Sequence, residues 1–175
     1  NPKRIPKADR MILVVAPEGA TRTAALLSGQ VDLIETPTPD TVDRLTKSGM
    51  KIVQNVTPHV WNYHPSMLTG SPWTDIRLRK AANLAIDRNA IVQLLGGLAT
   101  PAFGQVDKSS PWFGKPGFEI KFAPDEARKL MSEAGFSKTQ PLKTKFVVAS
   151  GGSGQVLSLP MNEAIQQMFK DVYID

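Results

Sequence analysis

Two rhythms of apolar and polar positions run along the chain. Arg10–Ala16 (RMILVVA) is a compact apolar run rich in β-branched residues, which predicts a buried strand. Thr21–Leu27 predicts a short helix ended by Gly29, and Val31–Thr36 (VDLIET) a second strand. Thr38 followed by Pro39 has the pattern of an N-cap with proline at the first helical position. That helix should run through Leu45 and stop near Gly49, before a third strand over Lys51–Val56. The first sixty residues therefore read β-α-β-α-β, the alternation of an α/β sheet.

The rhythm breaks over Pro58–Gly70, which holds Trp61, Tyr63 and His64 followed by Pro65. Beyond it, Thr74 or Asp75 caps a helix whose apolar side is Ile76, Leu78, Ala81, Ala82, Ala85 and Ile86. Asp87 caps a second helix, Asn89–Leu95, ended by Gly96-Gly97. Thr100–Lys121, with three prolines, predicts a long ordered loop. Pro124 opens a helix over Asp125–Ala134 that Gly135 ends. Lys143–Ala149 predicts a strand, Ser150–Gln155 a glycine loop and Pro160–Val172 a last helix, and Tyr173-Ile174-Asp175 starts a further strand.

Composition narrows the function classes. Of 175 residues, 41% are hydrophobic and 21% charged, which suits a globular protein and excludes an acidic disordered chain. Cysteine is absent, so these residues hold no disulfide, thiolate metal site or cysteine nucleophile. No apolar run approaches the length of a membrane span. The chain opens on Asn1-Pro2-Lys3-Arg4, which suggests a removed leader or an internal piece of something longer. The net charge of +5 invites a nucleic-acid partner. Yet Lys and Arg are scattered singly or in small groups, whereas a nucleic-acid footprint is clustered, so none is expected.

Few residues point to bond-making chemistry. Gly151-Gly152-Ser153-Gly154 lies between a strand and a helix, where a phosphate cradle would stand. A dinucleotide fingerprint would need glycine at Leu157, and a nucleophile elbow would need it at Gln155; no lysine completes a P-loop. An enzyme or nucleotide-binding domain using this loop for a phosphorylated ligand is the alternative function. His59 and His64 are five residues apart, and only tertiary accident would bring Glu35 or Asp75 to them, so no metal is expected. Asp75, Arg77, Arg79, Asp87 and Arg88 are explained by caps and ion pairs. Trp61, Tyr63 and His64 suit a cleft in which flat side chains stack and polar tips hydrogen-bond. Alternation in an extended segment sends Trp61 and Tyr63 to one face.

Several motifs then fall in order. They are Thr21-Arg22-x-x-Ala25-Leu26-x-Ser28-Gly29-Gln30-Val31-Asp32, then Ser71-Pro72-Trp73-Thr74-Asp75-Ile76-Arg77-Leu78-Arg79-Lys80-Ala81, and Ala85-Ile86-Asp87-Arg88. Ala123–Leu130 leads into Glu133-Ala134-Gly135-Phe136, and Ala164–Asp171 closes the series. The series resembles the extracytoplasmic solute-binding proteins of family 5, the dipeptide/oligopeptide/nickel class that feeds ABC importers. The resemblance implies an α/β chain that is part of a two-lobe, clamshell (type II periplasmic-binding-protein) fold with mixed sheets flanked by helices. Residues 1–62 would be a returning part of the first lobe, up to the hinge. Residues 63–175 would be the first part of the second lobe, both lobes incomplete. The implied function is capture of a peptide or similar small solute in the periplasm for delivery to a membrane permease, by a monomer, with no cofactor and no catalysis.

Carried onto this chain, the resemblance places Glu35 and Thr36, then Trp61, Tyr63 and His64, at the ligand. Glu35 would engage a cation or polar group, and Trp61 and Tyr63 would stack and bound the pocket. Phe103 and Trp112 are more remote candidates. Three positions depart from the family pattern: Ser66-Met67-Leu68 where an Asn is frequent, Ala123 where an Asp commonly caps a helix, and Tyr173 where a Gly is usual. The last puts the geometry of the terminal turn in question.

Overall fold

The computed structural model describes residues 7–55, 60–149 and 157–175. Among them are six α-helices: α1 (Gly19–Leu27), α2 (Pro39–Lys47), α3 (Ile76–Ala85), α4 (Arg88–Leu94), α5 (Pro124–Glu133) and α6 (Ser158–Lys170). Each corresponds to a helix expected from the pattern, with ends shifted by one or two residues. A single turn of 3₁₀ helix, Pro72–Thr74, precedes α3.

Helix starts separate by their chemistry. The Asp75 carboxylate accepts from the Arg77 backbone N–H at 2.8 Å, and Asp87 accepts from Asn89 and Ala90 at 3.0 Å each. These side chains replace partners that the first-turn donors cannot find inside the helix. Thr38 precedes α2 as expected, but its side chain caps no backbone donor; its hydroxyl lies 3.4 Å from that of Thr41. At Ala123 there is no side chain to cap α5, and the Ala123 N–H instead donates to the Leu84 carbonyl of α3 at 2.9 Å.

Five of the six helices end in one way. A residue just past the helix donates back across the last turn to the carbonyl five positions earlier: Gln30 to Ala25, Met50 to Leu45, Gly97 to Val92, Phe136 to Met131 and Ile174 to Phe169, at 2.9–3.0 Å. This closure needs a left-handed residue just before the donor, which glycine supplies without a Cβ clash. Gly29, Gly49, Gly96 and Gly135 take that place, with φ of 73°, 82°, 64° and 93°. At the end of α6 the place belongs to Tyr173, at φ 70°. The departure noted in the sequence thus leaves the turn geometry intact and puts a bulky residue in a glycine conformation.

The main core lies between α3 and α5. Leu78, Ala81, Leu84 and Ala85 of α3 meet Ala127 and Met131 of α5, and Leu142, Val172 and Ile174 close the layer. Trp73, Phe118 and Phe136 pack on its edge. A second cluster joins Leu95, just past α4, to Met161 and Ile165 of α6.

The expected strands are the point of difference. No strand ladder is present among the described residues. Arg10–Ala16, Val31–Thr36 and residues 51–55 carry no regular pairing. The run that should be buried is exposed, from Met11 at 81% to Val15 at 91%. A strand is defined by its neighbour's hydrogen bonds, so an apolar run without one among the described residues stays unpaired. Pairing among the described residues is limited to two isolated bridges, a tight antiparallel one between Ser137 and Gln140 and a parallel one beside the expected strands over Lys143–Ala149 and Tyr173–Asp175. Leu142 donates to Tyr173, Asp175 to Leu142 and Thr144 to Asp175, at 2.8–2.9 Å, a short parallel join.

Candidate functional site

Glu35 and Thr36 sit in a turn before α2. Thr36 has φ 46°, a left-handed conformation that a β-branched residue adopts only under constraint. The constraint is Arg22 of α1. Its Nη1 donates to the carbonyls of Ala16 at 2.8 Å and Pro17 at 2.6 Å, and its Nε to Glu35 O at 3.1 Å. Its Nη2 meets Thr36 O at 3.1 Å and Thr36 Oγ1 at 3.5 Å. The Glu35 side chain is exposed and, among the described residues, makes no ion pair.

The aromatic segment lies elsewhere. Tyr63 donates its hydroxyl to Asn162 Oδ1 of α6 at 2.6 Å. Asn162 is buried and donates in turn to Ser158 O at 2.8 Å, while Ser158 Oγ donates to Ala149 O at 2.6 Å. The Tyr63 ring packs on Phe146 with centroids 4.5 Å apart, and Phe146 approaches Phe169 at 6.3 Å. Burial of the phenol pushes its pKa up to about 12, because the phenolate loses water. Trp61 is 41% exposed and His64 is exposed.

The five expected site residues thus form two groups. Among the described residues no hydrogen bond or ring contact joins Glu35 and Thr36 to Trp61, Tyr63 and His64. Tyr63 enters the protein's own hydrogen-bond chain, so its hydroxyl is committed to Asn162. Phe103 lines a shallow depression with Ile86, Arg88, Lys121 and Phe122, and the Lys108 ammonium lies 3.9 Å from its ring centroid. Trp112 is 86% exposed. His59 and the Gly151–Gly154 loop lie outside the described residues. No group of three or more His, Cys, Asp or Glu suited to a metal occurs among the described residues. No helix among them is long and apolar enough to cross a membrane.

Sequence reasoning passed over Arg22, Asn162 and Phe146. Arg22 was visible as a fixed member of the first motif, and Asn162 as a polar residue beside Met161 on the buried side of α6. Phe146 carried no signal beyond its expected strand.

The charged motif residues do structural work. Arg77 pairs with Asp75 at 2.6 Å and donates to Glu133 O at 2.7 Å, tying the start of α3 to the end of α5. Arg79 donates to Trp73 O at 2.6 Å and Thr74 O at 3.0 Å. Trp73 Nε1 donates to Thr144 Oγ1 at 3.2 Å. Arg88 is half-buried and donates to the carbonyls of Asn83 and Ile86 and to Asn83 Oδ1.

This arrangement of scaffold motifs is matched by known proteins. The sequence model of the bacterial extracellular solute-binding proteins, family 5 Middle, matches residues 2–175. The chain belongs to that family.

As a family 5 solute-binding protein it is similar to glutathione-binding protein GsiB of Escherichia coli (strain K12), at 30% identity over 141 residues. That match covers 75% of this chain and 26% of GsiB. Heme-binding protein A of Haemophilus influenzae is 25% identical over 130 residues, covering 73% of this chain and 24% of that protein. The chain therefore spans about a quarter of the length of these curated relatives. Among solved structures, NikA of Staphylococcus aureus in complex with Ni(L-His)2 superposes with a TM-score of 0.65 at 21% identity. It covers 90% of this chain and 33% of NikA. OppA of Haemophilus influenzae in complex with RPPGFSPFR superposes at 0.62 with 23% identity, covering 90% of this chain and 32% of OppA. These likenesses establish the fold of the family's binding proteins. The matched relatives are binding proteins, and they lend no support to an enzyme built on Gly151–Gly154.

Proposed function

We propose that the full-length protein captures a peptide or similar small solute between two lobes and hands it to an ABC permease at the membrane. The observation that carries this is the family match, which runs through nearly the whole chain. Residues 1–62 would belong to the first lobe and residues 63–175 to the second, with the Trp61–His64 segment at the crossing. Ligand binding would favour the closed arrangement by differential affinity, and that closed form would dock on the permease. The protein would act outside the cytoplasmic membrane as a monomer, without a cofactor, a nucleic-acid partner or a reaction of its own.

Glu35, Thr36, Trp61 and His64 would face the solute, Glu35 by charge and Trp61 by stacking. Tyr63 would serve by its ring alone, since its hydroxyl is engaged with Asn162. The relatives are named for glutathione and heme and one structural neighbour holds a peptide, so peptide-like solutes come first.

Native mass spectrometry of the full-length protein from its own source tests the reading. A releasable small molecule is expected, and Glu35→Gln should weaken its rebinding about tenfold, the loss of one charge-assisted hydrogen bond. A protein that carries no releasable solute and takes up neither reduced glutathione nor short peptides overturns it.

A further inference from the structure

We infer that Arg22 is a positioning residue: its guanidinium fixes the backbone of the Glu35–Thr36 turn against the Ala16–Pro17 corner and so sets the direction in which Glu35 is presented. The role of Glu35 toward a solute rests on the function proposed above; the clasp itself does not.

Three observations converge. The first is the contact set. Three nitrogens of one side chain reach five oxygens, drawn from two chain segments on either side of α1. The second is the absence of a carboxylate. Among the described residues Arg22 makes no ion pair. Its charge is instead solvated by carbonyl dipoles, which orients those carbonyls toward the guanidinium. The third is strain. Thr36 stands at φ 46°, where its Cβ crowds the backbone, and such a residue persists only where its surroundings over-determine it. Two of the five contacts are to Thr36 itself, one to its carbonyl and one to its hydroxyl.

The geometry also says why the residue is arginine. A planar fork with donors on three nitrogens spans carbonyls from both segments at once. A lysine ammonium carries the same charge at one point and cannot bridge them in that plane. Charge alone is therefore insufficient, and glycine at position 36 should make the clasp unnecessary, since glycine accepts positive φ without strain.

The test uses the full-length protein with Arg22→Lys, Arg22→Gln and Thr36→Gly, singly and combined, read by NMR at residue 36. The wild type should show the strong intraresidue HN–Hα NOE of a positive-φ residue. Both Arg22 variants should lose it, while the resonances of Leu84 and Met131 in the core stay in place. Adding Thr36→Gly to either variant should restore the turn's native chemical shifts at Ile34 and Glu35. The inference is overturned if Arg22→Lys keeps Thr36 left-handed, or if Thr36→Gly restores nothing. A variant too unstable to give a core spectrum also overturns it, because Arg22 would then hold the fold and not the turn. Should Glu35→Gln leave solute affinity unchanged, the proposed solute contact falls while these NMR outcomes still decide the clasp.

Discussion

Asp87 shows how much one side chain supplies at a helix start. A single carboxylate oxygen satisfies two first-turn donors of α4. Asp87→Ala should cost about 1 kcal/mol, measured by urea denaturation of the full-length protein. Asp75 adds a pH dependence. Hydrogen bonds from Arg77 hold its carboxyl below the ordinary value of 3.8. A lowered folded pKa means that stability is present above the unfolded value and lost as pH falls through the folded one. Acid titration should show that loss below about pH 4, and Asp75→Asn, which keeps the capping oxygen, should remove it. Tyr63 has the opposite sign. Its phenol rises from 10.0 to about 12, so the folded state holds the proton more tightly. Stability should fall as pH climbs from 10 toward 12. Tyr63→Phe should abolish that fall and cost about 1 kcal/mol at neutral pH by orphaning the buried Asn162 oxygen.

At the scale of elements, the α3–α5 pair carries the fold. Leu84 and Met131 are fully buried, and no polar atom is needed between them. Leu84→Ala should destabilise the full-length protein by about 2–5 kcal/mol in denaturant titration, the transfer loss plus the cavity left in a packed interior. The helix ends are a separate, smaller contribution. Gly135 is at φ 93°, and Gly135→Ala should cost about 1 kcal/mol by forcing a Cβ into the left-handed region. That value sets the scale of what Tyr173 endures at the end of α6, offset there by its packing against the core.

For the whole molecule, what matters is which apolar surface has found a partner. Helical faces have, through α3–α5 and α4–α6. The run Met11–Val15 has not, with residues exposed on both sides of the chain. The 175-residue chain purified alone should bind a hydrophobic dye and self-associate, read by fluorescence and light scattering. Met11→Lys with Val15→Lys should reduce both signals. The chain spans about a quarter of the length of the curated relatives it matches.

All six described helices, their two aspartate caps and their glycine ends were legible in the sequence. So was the family, because its motifs are the residues that make those ends and ties. These features are local: a cap reaches three residues, and a glycine closure spans six. The same locality explains why Trp73, Asp75, Arg77 and Arg79 were recognisable as scaffold before their partners were known. Tertiary structure alone decided the rest. Whether Arg10–Ala16 becomes a strand depends on a neighbouring chain's hydrogen bonds, which its own pattern does not contain. Whether Tyr63 offers its hydroxyl to a solute depends on Asn162, 99 positions away. Arg22 stands in the first motif, but only the packing of α1 brings its guanidinium among carbonyls 5 to 14 residues distant. A side chain's type fixes the bonds it is able to make, and the packing of the elements fixes which atoms come within reach.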